Sequence, residues 1–354
     1  MHHFPFISAP MPIVPESVLR QHNVYQPGDT RFRACARLMQ SLWRTSQRLP
    51  IGNHTTRRGG KRRLGSLLTE QDAQAGRNFM SPALARLARH EIAYRQPGAL
   101  ISVQRLLSNL LSSQPLAFNL FGNLRLYPEL ALPVVRHLLP DADIAQVLHV
   151  GFEFSPGRMD TTLTADRSAF DVAIFYQRRD GASGLLAIEL KYSEELSQSR
   201  PGDTGDTYGD LAHSSGLFKN PASSVLRTPM FEQLFREHLL AQAAVMRGRF
   251  AEAHFILVAP QSNDAVNRGA KLYAAHLAQP LPDHVPFHII DLDRVIDAYG
   301  VAGEPDYADA LHDRYTRWST IDAVVADALT AEQALWRLIR PPSTTPLVLI
   351  ETAA

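Results

Sequence analysis

The chain has 354 residues and a mass of 39.4 kDa, enough for roughly two domains of about 150 residues each or for one large α/β domain with additions. Hydrophobic residues make up 45% and charged residues 20%, a composition that excludes disordered, collagen-like and coiled-coil proteins. The net charge of +1 hides an asymmetry, because residues 1–100 contain 15 Arg or Lys against 5 Asp or Glu, whereas residues 101–354 contain 21 against 30. This segregation favours an anionic partner for the first third of the chain.

Several classes of protein and site are excluded by what the sequence lacks. No segment reaches the roughly 20 apolar residues that a membrane-spanning helix needs, which excludes a membrane-embedded protein. The first 14 residues contain three prolines and neither Lys nor Arg, so they do not have the pattern of a secretory signal peptide. We therefore expect a cytoplasmic protein with no membrane partner. The single cysteine, Cys35, excludes an intramolecular disulfide and multi-cysteine zinc sites.

Helical spacing of apolar residues dominates the start of the chain. Residues 31–49 show an apolar stripe at three- and four-residue intervals, which predicts an amphipathic helix. Similar patterns predict helix at 69–94 and 99–113, separated from the first helix by a Gly- and Arg-rich connector at 50–66. We therefore predict a basic, mostly helical N-terminal region over residues 1–100.

The connector contains the densest cationic run of the chain: Arg57, Arg58, Lys61, Arg62 and Arg63. Five cations interrupted by two glycines are suited to following nucleic-acid phosphates without reading bases. A solvated loop is the alternative, because basic runs are common. The run is not a phosphate-binding P-loop, since Lys61 is followed by Arg62 and not by Ser or Thr.

The pattern changes to strands in the second third of the chain. Runs with β-like composition at Val147–Phe154, Phe170–Tyr176 and Leu185–Tyr192 are separated by loops rich in Gly, Asp and Arg, which predicts a meander. The following stretch, Ser197–Pro229, is longer than ordinary irregular loops, so we expect it to be functional, for example by folding over a ligand.

Helices and strands alternate after this stretch. We predict a helix at Met230–Met246, a buried strand at His254–Ala259, a helix at 264–279 and a strand at Pro286–Ile290. The predicted fold is therefore α/β, with a mixed central sheet flanked by helices over residues 101–300. Residues 301–354 are predicted to form a helical C-terminal extension.

The third strand carries two charges among apolar residues. Strand alternation places Glu189 and Lys191 on one face, and burying both is costly unless they pair with each other or with a ligand. If the preceding hairpin turns near residue 180, antiparallel pairing brings Asp171 beside residues 189–191. Two carboxylates with a lysine can bind Mg²⁺, orient or deprotonate a water and stabilise a phosphorane-like transition state. The alternative is a structural Glu-Lys pair on an exposed edge strand.

The arrangement of these three residues resembles the motif of the PD-(D/E)XK nuclease superfamily. The motif consists of Asp171, seventeen intervening residues and Glu189-Leu190-Lys191, within a helix, three strands, a helix and a strand. Three further stretches resemble a branch of bacterial restriction-endonuclease-like proteins and extend the resemblance over about residues 30–245. These stretches are Arg37–Arg44, Leu111–Phe121 and Gln233–Leu240.

The resemblance implies a restriction-endonuclease-like αβββαβ core and a role for each motif residue. Asp171 and Glu189 would be metal ligands, Lys191 the catalytic lysine, and Gln233 a residue of the following helix that faces the site. The implied cofactor is Mg²⁺, with Mn²⁺ as a substitute, and the implied substrate is DNA, cut to leave a 5′-phosphate and a 3′-hydroxyl. One departure is that Phe170 stands in place of the motif proline.

A second departure concerns the number of metals. The helix before the first strand often carries another acid in the superfamily, but residues 104–127 contain no Asp or Glu. Glu153, on the first strand, could add a carboxylate to the metal site, with an edge-strand charge as the alternative. Arg158, in the turn after that strand, could contact a phosphate or simply be solvated. Gln114 and Asn119 are expected to satisfy buried backbone groups and not to be catalytic.

We therefore predict a Mg²⁺-dependent, restriction-endonuclease-like enzyme that hydrolyses DNA phosphodiester bonds. Three alternatives remain: a noncatalytic nucleic-acid-binding module that keeps the fold, a DNA-repair nuclease, and a Mg²⁺-dependent phosphoesterase of small molecules. A surface glutamine is the alternative for Gln233. Because cutting both strands favours symmetry, a homodimer is an option.

Overall fold

The computed structural model describes residues 11–55, 59–196 and 205–339 of the chain. The helices are numbered α1 to α13 in chain order: Glu16–Gln21, Arg31–Ser46, Glu70–Gln74, Pro82–Ala93, Val103–Ser108, Ser113–Leu126, Pro128–Leu138, Gly205–Ser215, Glu232–Met246, Asp264–Ala275, Leu292–Val301, Pro305–Tyr315 and Ser319–Ile339. The strands β1 to β7 are Gly52–Thr55, Lys61–Leu64, Gln146–Phe154, Phe170–Gln177, Ser183–Leu190, Glu252–Ala259 and Phe287–Asp291.

Side-chain caps explain where several N-terminal helices begin. Thr30, Thr69, Ser81, Ser102 and Ser112 each accept a hydrogen bond from a backbone N–H in the first turn of the helix that follows. These caps divide the two long helical patterns of the sequence into four helices, α3 to α6. The predicted helical character is therefore confirmed, but the predicted continuity over 69–94 and 99–113 is wrong.

The Gly- and Arg-rich connector contains two strands that the sequence did not predict. It forms an antiparallel hairpin in which Gly52 pairs with Leu64 and Thr55 with Lys61. The sequence shows no alternation of polar and apolar residues in β2, because Lys61, Arg62 and Arg63 are all exposed. The hairpin could therefore not be predicted from the strand pattern. Arg57 and Arg58 lie outside the described residues.

The central sheet has the order β3-β4-β5-β6-β7. Strands β3, β4 and β5 form the predicted antiparallel meander, and β5, β6 and β7 run parallel. The three predicted strands of the meander and the two later strands are confirmed. The sheet is mixed and flanked by helices, which confirms the predicted α/β fold class and its restriction-endonuclease-like core.

Both faces of the sheet are buried. One face packs against α6, α7, α11 and α12, and the other packs against α8, α9 and α10. This burial explains why all residues of β5 after Ser183 are buried and why the strand reads as an almost continuous apolar run.

The three predicted regions of the chain share one hydrophobic cluster. Phe32 from the N-terminal region, Leu120 from the central region and Tyr315 from the C-terminal region all belong to it. A buried polar contact joins the same regions, because Gln40 donates to Tyr192 Oη at 3.1 Å and to the Arg314 carbonyl at 2.7 Å. The regions therefore fold against one another.

The stretch predicted as a long irregular loop is partly helical. It contains α8 and a 3-10 helix at Ser224–Arg227, whereas residues 197–204 lie outside the described part of the chain. Helix α8 packs on α9 in the second hydrophobic cluster. In the described ranges, no helix is long and apolar enough to cross a membrane.

Candidate active site

The pairing of β4 with β5 brings the predicted site residues together. Val172 pairs with Ile188, so the register continues towards Asp171 opposite Glu189 at the end of the ladder. The contact is direct, because the backbone N–H of Leu190 donates to Asp171 Oδ2 at 3.0 Å. The hairpin geometry inferred from the sequence is therefore confirmed.

Lys191 and Glu189 form an ion pair in which Nζ lies 2.8 Å from Oε1. Their side chains are only 10% and 4% exposed. Strand β5 lies between β4 and β6, so the alternative of a pair on an exposed edge strand is wrong. A buried ion pair of this kind is costly to desolvate, which makes a purely structural role a poor explanation for it.

Gln233 on α9 connects the charges of this site. Its Oε1 accepts a hydrogen bond from Lys191 Nζ at 2.7 Å, and its Nε2 donates to Glu189 Oε1 at 2.7 Å. The same Nε2 also donates to Glu237 Oε1, one helical turn further on, at 2.9 Å. The amide orientation is therefore determined by one donor and two acceptors. Gln233 reaches the predicted site and is not a surface glutamine.

Glu237 is a member of this network that the sequence interpretation missed. It is buried on α9, and its Oε2 has no hydrogen-bond partner among the described residues. Burial, together with the charge of Glu189, raises the pKa of Glu237 well above its usual value. The only signal available in the sequence was its four-residue spacing from Gln233, which places both side chains on one side of a helix.

The electrostatics of the cavity show an excess of buried carboxyl groups. Burial and then the neighbouring charges of Glu189 and Glu153 raise the pKa of Asp171 well above its usual value. For Lys191, burial alone would lower the pKa, but Glu189 and Asp171 outweigh it and raise the pKa above the usual value. One ammonium thus faces several carboxyl groups, and a further cation would relieve their repulsion.

Glu153 lies near the site but is held by other groups. It has a left-handed backbone (φ +48°), and its Oε1 accepts from the backbone N–H of Leu100 at 3.2 Å. Its charge contributes to the raised pKa of Asp171, so the two carboxyl groups interact. A role for Glu153 as an additional metal ligand stays a prediction.

Hydrogen bonds within the protein hold the Arg158 side chain. Its guanidinium donates to the carbonyls of Glu153 at 2.6 Å and Arg167 at 2.9 Å, and to Gln96 Oε1 at 3.3 Å. The side chain is 6% exposed. The alternative of a solvated turn is therefore wrong, because the Arg158 side chain is largely buried and stabilises the loop after β3. A role of Arg158 as a phosphate contact stays a prediction.

A cavity of about 250 Å³ opens beside these groups. It is lined by Arg105, Ser113, Gln114, Asp171, Glu189, Lys191, Glu194, Glu195 and Gln233. The residues that the sequence singled out thus share one cavity with side chains from α5, α6 and the loop after β5.

Glu194, which the sequence interpretation also missed, organises the rim of this cavity. Its Oε1 accepts from Ser113 N and from Arg105 Nη2, both at 2.9 Å, and its Oε2 accepts from Tyr192 N at 3.2 Å. The carboxylate therefore connects the first turn of α6 to the end of β5. A negative charge is favourable at the N-terminus of a helix such as α6. Partners more than 80 positions away in the chain leave no local sequence signal.

Asn119 and Gln114 have different surroundings although both lie on α6. Asn119 accepts from Met80 N at 2.9 Å and donates to the Asn78 carbonyl at 3.2 Å, which is the structural role expected for it. Gln114 Nε2 donates weakly to the Leu100 carbonyl at 3.4 Å. Its Oε1 is buried without a hydrogen-bond partner among the described residues, so the expected role accounts for only half of this amide.

The carboxyl groups of the cavity fit a hydrated Mg²⁺ ion. Across the described ranges, no group of three or more His, Cys, Asp or Glu side chains could hold a metal ion by itself. Mg²⁺ does not require such a cage, because it usually retains several waters and binds through one or two carboxylates and the substrate phosphate. Asp171 and Glu189 meet this requirement, and their repulsion is the kind that a divalent cation removes.

Comparisons with known proteins agree with this geometry. The sequence profile of the PD-(D/E)XK nuclease superfamily matches residues 27–317, which include every element from α2 to α12. Neither the curated proteins nor the solved structures yielded a match. The profile covers most of the chain and includes the motif residues of β4 and β5, and so the chain belongs to the PD-(D/E)XK nuclease superfamily.

Proposed function

We propose that the protein is a Mg²⁺-dependent endonuclease that hydrolyses DNA phosphodiester bonds, with a restriction-like role in the cytoplasm. The observation that carries the proposal is the buried network in which Lys191 Nζ contacts both Glu189 and Gln233 beside Asp171. Superfamily membership supports nuclease chemistry in general. The metal, the DNA substrate and the biological role belong to the proposal.

Asp171 and Glu189 would hold the metal, with Mn²⁺ as a substitute for Mg²⁺. When bound, the metal would supply polarisation of the scissile phosphate and a more acidic water. The raised pKa of Lys191 keeps its side chain an ammonium ion at neutral pH. Lys191 would therefore orient the attacking water and stabilise the negative charge that develops on the phosphoryl oxygens, and would not remove a proton in this state.

Gln233 would keep the ammonium group in position. Its Oε1 accepts from Lys191, and its Nε2 is held by Glu189 and Glu237. This arrangement leaves Lys191 few alternative rotamers, so the ammonium points into the cavity without reorganisation during the reaction.

The charge distribution favours DNA over a small phosphodiester. The exposed cations of β2 belong to a first third of the chain that has an excess of positive charge, and such an excess has no function in binding a small substrate. The intact Asp, Glu and Lys of the cavity favour a nuclease over a noncatalytic DNA-binding module. A DNA-repair nuclease would use the same groups, and cleavage-site mapping on modified and damaged DNA distinguishes it from a restriction-like enzyme. The homodimer finds no support in the structure of the single chain.

Cleavage of plasmid DNA tests the proposal. Wild-type protein is expected to cut DNA with Mg²⁺ or Mn²⁺ but not with EDTA, leaving 5′-phosphate ends. Lys191→Met and Glu189→Gln should each lower the rate by a factor of about 100 or more, because each loses a group that acts in the transition state. Lys271→Met, at an exposed position of α10, is the matched control and should cut like wild type.

Two results would contradict the proposal. One is cleavage by a folded Lys191→Met protein at the wild-type rate. The other is hydrolysis of bis(p-nitrophenyl) phosphate without any cleavage of single- or double-stranded DNA, which would favour the small-molecule phosphoesterase. Far-UV circular dichroism of each variant separates lost chemistry from lost folding.

A further inference from the structure

Gln114 lies between two cavities at the start of α6. It lines the catalytic cavity of about 250 Å³ together with Asp171, Glu189 and Lys191. It also lines a small cavity of about 20 Å³ together with Asp171 and Glu153. A space of that size holds about one water molecule. Gln114 and Asp171 therefore both border the two cavities.

The orientation of the Gln114 amide follows from its one hydrogen bond. The Leu100 carbonyl can be contacted only by a donor, so the amide nitrogen points towards Leu100 and the carbonyl oxygen points away from it. That oxygen is buried and accepts no hydrogen bond from any residue that the structure describes. An unsatisfied buried acceptor destabilises the protein, so this oxygen requires a hydrogen-bond donor or a cation.

The surroundings of Gln114 favour a cation. Asp171, whose carboxyl group lines both cavities with it, already experiences the charges of Glu189 and Glu153. An amide oxygen that borders the same cavity as these carboxyl groups adds to their negative potential unless a positive charge balances it. Amide carbonyl oxygens are accepted ligands of hard divalent cations.

We propose that Gln114 Oε1 is a neutral oxygen donor of the metal site, alongside Asp171 and Glu189. This inference rests on the metal dependence in the proposed function and extends it by adding a residue from α6. A neutral donor at this place keeps the negative charge of the site low, which weakens the hold on the ion compared with a third carboxylate. The site would therefore bind Mg²⁺ loosely and gain its remaining ligands from water and the substrate phosphate.

The competing explanation is that Gln114 binds only a structural water. In that case its replacement would change the stability of the protein equally with and without metal. A donor to the metal, in contrast, changes metal affinity in a direction that depends on the charge of the replacement.

Binding of Mn²⁺ in the absence of DNA separates these explanations without an activity measurement. Isothermal titration calorimetry, with electron paramagnetic resonance of free Mn²⁺ as a second readout, would compare wild type with Gln114→Met and Gln114→Glu. Gln114→Met keeps the length of the side chain but removes the oxygen, and it should weaken Mn²⁺ binding roughly tenfold. Gln114→Glu should tighten binding by a similar factor, because it adds a charge. Gln104→Met, at an exposed position of α5, is the matched control and should bind like wild type.

Three results would contradict the role of Gln114 as a metal ligand. Unchanged Mn²⁺ affinity in Gln114→Met, or weaker binding in Gln114→Glu than in wild type, would overturn the role of Gln114 while leaving the proposed function intact. Wild-type protein that binds no Mn²⁺ at millimolar concentration would overturn both. Thermal melts in EDTA identify a variant that has failed to fold, and the other variant then provides the test.

Discussion

Among the single residues, the candidate active-site cavity contains more carboxyl groups than cationic groups. Asp171, Glu189 and Glu237 lie within interaction distance of one another, and Lys191 is the ammonium group that their interactions share. The protein tolerates this arrangement because hydrogen bonds from Leu190 N and Gln233 Nε2 stabilise the carboxyl groups. Such imbalance is typical of sites built to bind a cation or to shift protonation states.

Asp171→Asn tests this imbalance through stability. The amide keeps the shape of the side chain but removes the repulsion from Glu189 and Glu153, so the metal-free variant should be at least as stable as wild type. Millimolar Mg²⁺ should raise the melting temperature of wild type by binding the native state, and should raise that of the variant much less. Thermal melts with and without metal measure both effects. Asp327→Asn, exposed on α13, is the control, and an identical metal-induced shift in Asp171→Asn and wild type would exclude Asp171 as a ligand.

At the scale of elements, the hairpin of β1 and β2 presents Lys61, Arg62 and Arg63 to solvent on a rigid support. The hairpin also borders a groove of about 420 Å³, because His54 and Leu64 line that groove together with Arg105. Arg105 lines the catalytic cavity as well. The groove beside the hairpin and the candidate active-site cavity are therefore neighbours that share Arg105.

Neutralising the hairpin should weaken DNA binding without changing chemistry. We expect Lys61→Gln, Arg62→Gln and Arg63→Gln together, in a Glu189→Gln background that prevents cleavage, to lower affinity for any DNA sequence. The slope of log affinity against log salt should become less steep by up to about 3, since each lost phosphate contact removes about 0.9. Fluorescence anisotropy at several salt concentrations measures the slope. An unchanged slope, equal to that of a protein neutralised at the exposed Lys219, Arg268 and Lys271, would reject the hairpin as a DNA contact.

The neighbouring strands β6 and β7 carry a pair of histidines that predicts a pH response. The ring nitrogens of His254 and His288 lie 3.1 Å apart, and burial lowers the pKa of both to about 4. In the unfolded chain these histidines bind protons below about pH 6.5, but in the folded protein only below about pH 4. The unfolded state therefore gains protons first, and stability falls as the pH drops from about 6.5 to 4.

Replacing the pair should reduce this loss. The free energy of unfolding of wild type should fall between pH 7 and pH 4.5. The double variant His254→Asn with His288→Asn should lose roughly 1–2 kcal/mol less over this range. This value is smaller than the full pKa shifts imply, because both rings are partly exposed. Urea unfolding at the two pH values measures it, with His213→Asn on the surface of α8 as the control. An acid response as large in the double variant as in wild type would show that other groups cause it.

In the whole molecule, the central sheet packs against helices from both ends of the chain. Helix α12 packs against α2 and α11, and Arg314, which is fully buried, donates to the Asn78 carbonyl at 2.8 Å and stacks over Trp43 at 3.9 Å. The first and last regions thus contact each other directly as well as through the sheet.

A chain cut at the predicted boundaries should therefore fail to fold. Residues 101–300 alone would expose the surface that Phe32 and Tyr315 cover, and each large apolar side chain lost from a core removes about 2–3 kcal/mol. Far-UV circular dichroism and a thermal melt distinguish a cooperative fold from its absence. A soluble 101–300 fragment with a cooperative transition would show that the central region is an independent domain.

Local sequence pattern was enough to predict the strands of the meander and to bring Asp171 beside Glu189 and Lys191. Alternation with a period of two identifies β3, β4 and β5, and the short turn between β4 and β5 relates Asp171 to Glu189 by simple counting. Such information is local, because both the strand period and the hairpin register depend on residues less than twenty positions apart. Helix caps are local as well, and they place most helix starts.

The remaining groups around the motif depend on how distant elements pack. Ser113 reaches Glu194 from 81 residues away, which leaves no periodic signal in the sequence. Gln233 reaches Lys191 from 42 residues away, and the family resemblance, not a local pattern, predicted it for the site. No local pattern predicted that the Arg158 guanidinium would contact the backbone of its own loop. None predicted that Gln114 Oε1 would be buried without a hydrogen-bond partner among the described residues. Composition and period report how much apolar surface an element must bury, but the identity of a polar partner depends on how elements from distant parts of the chain pack. Packing, and not local pattern, therefore decides the chemistry around the motif.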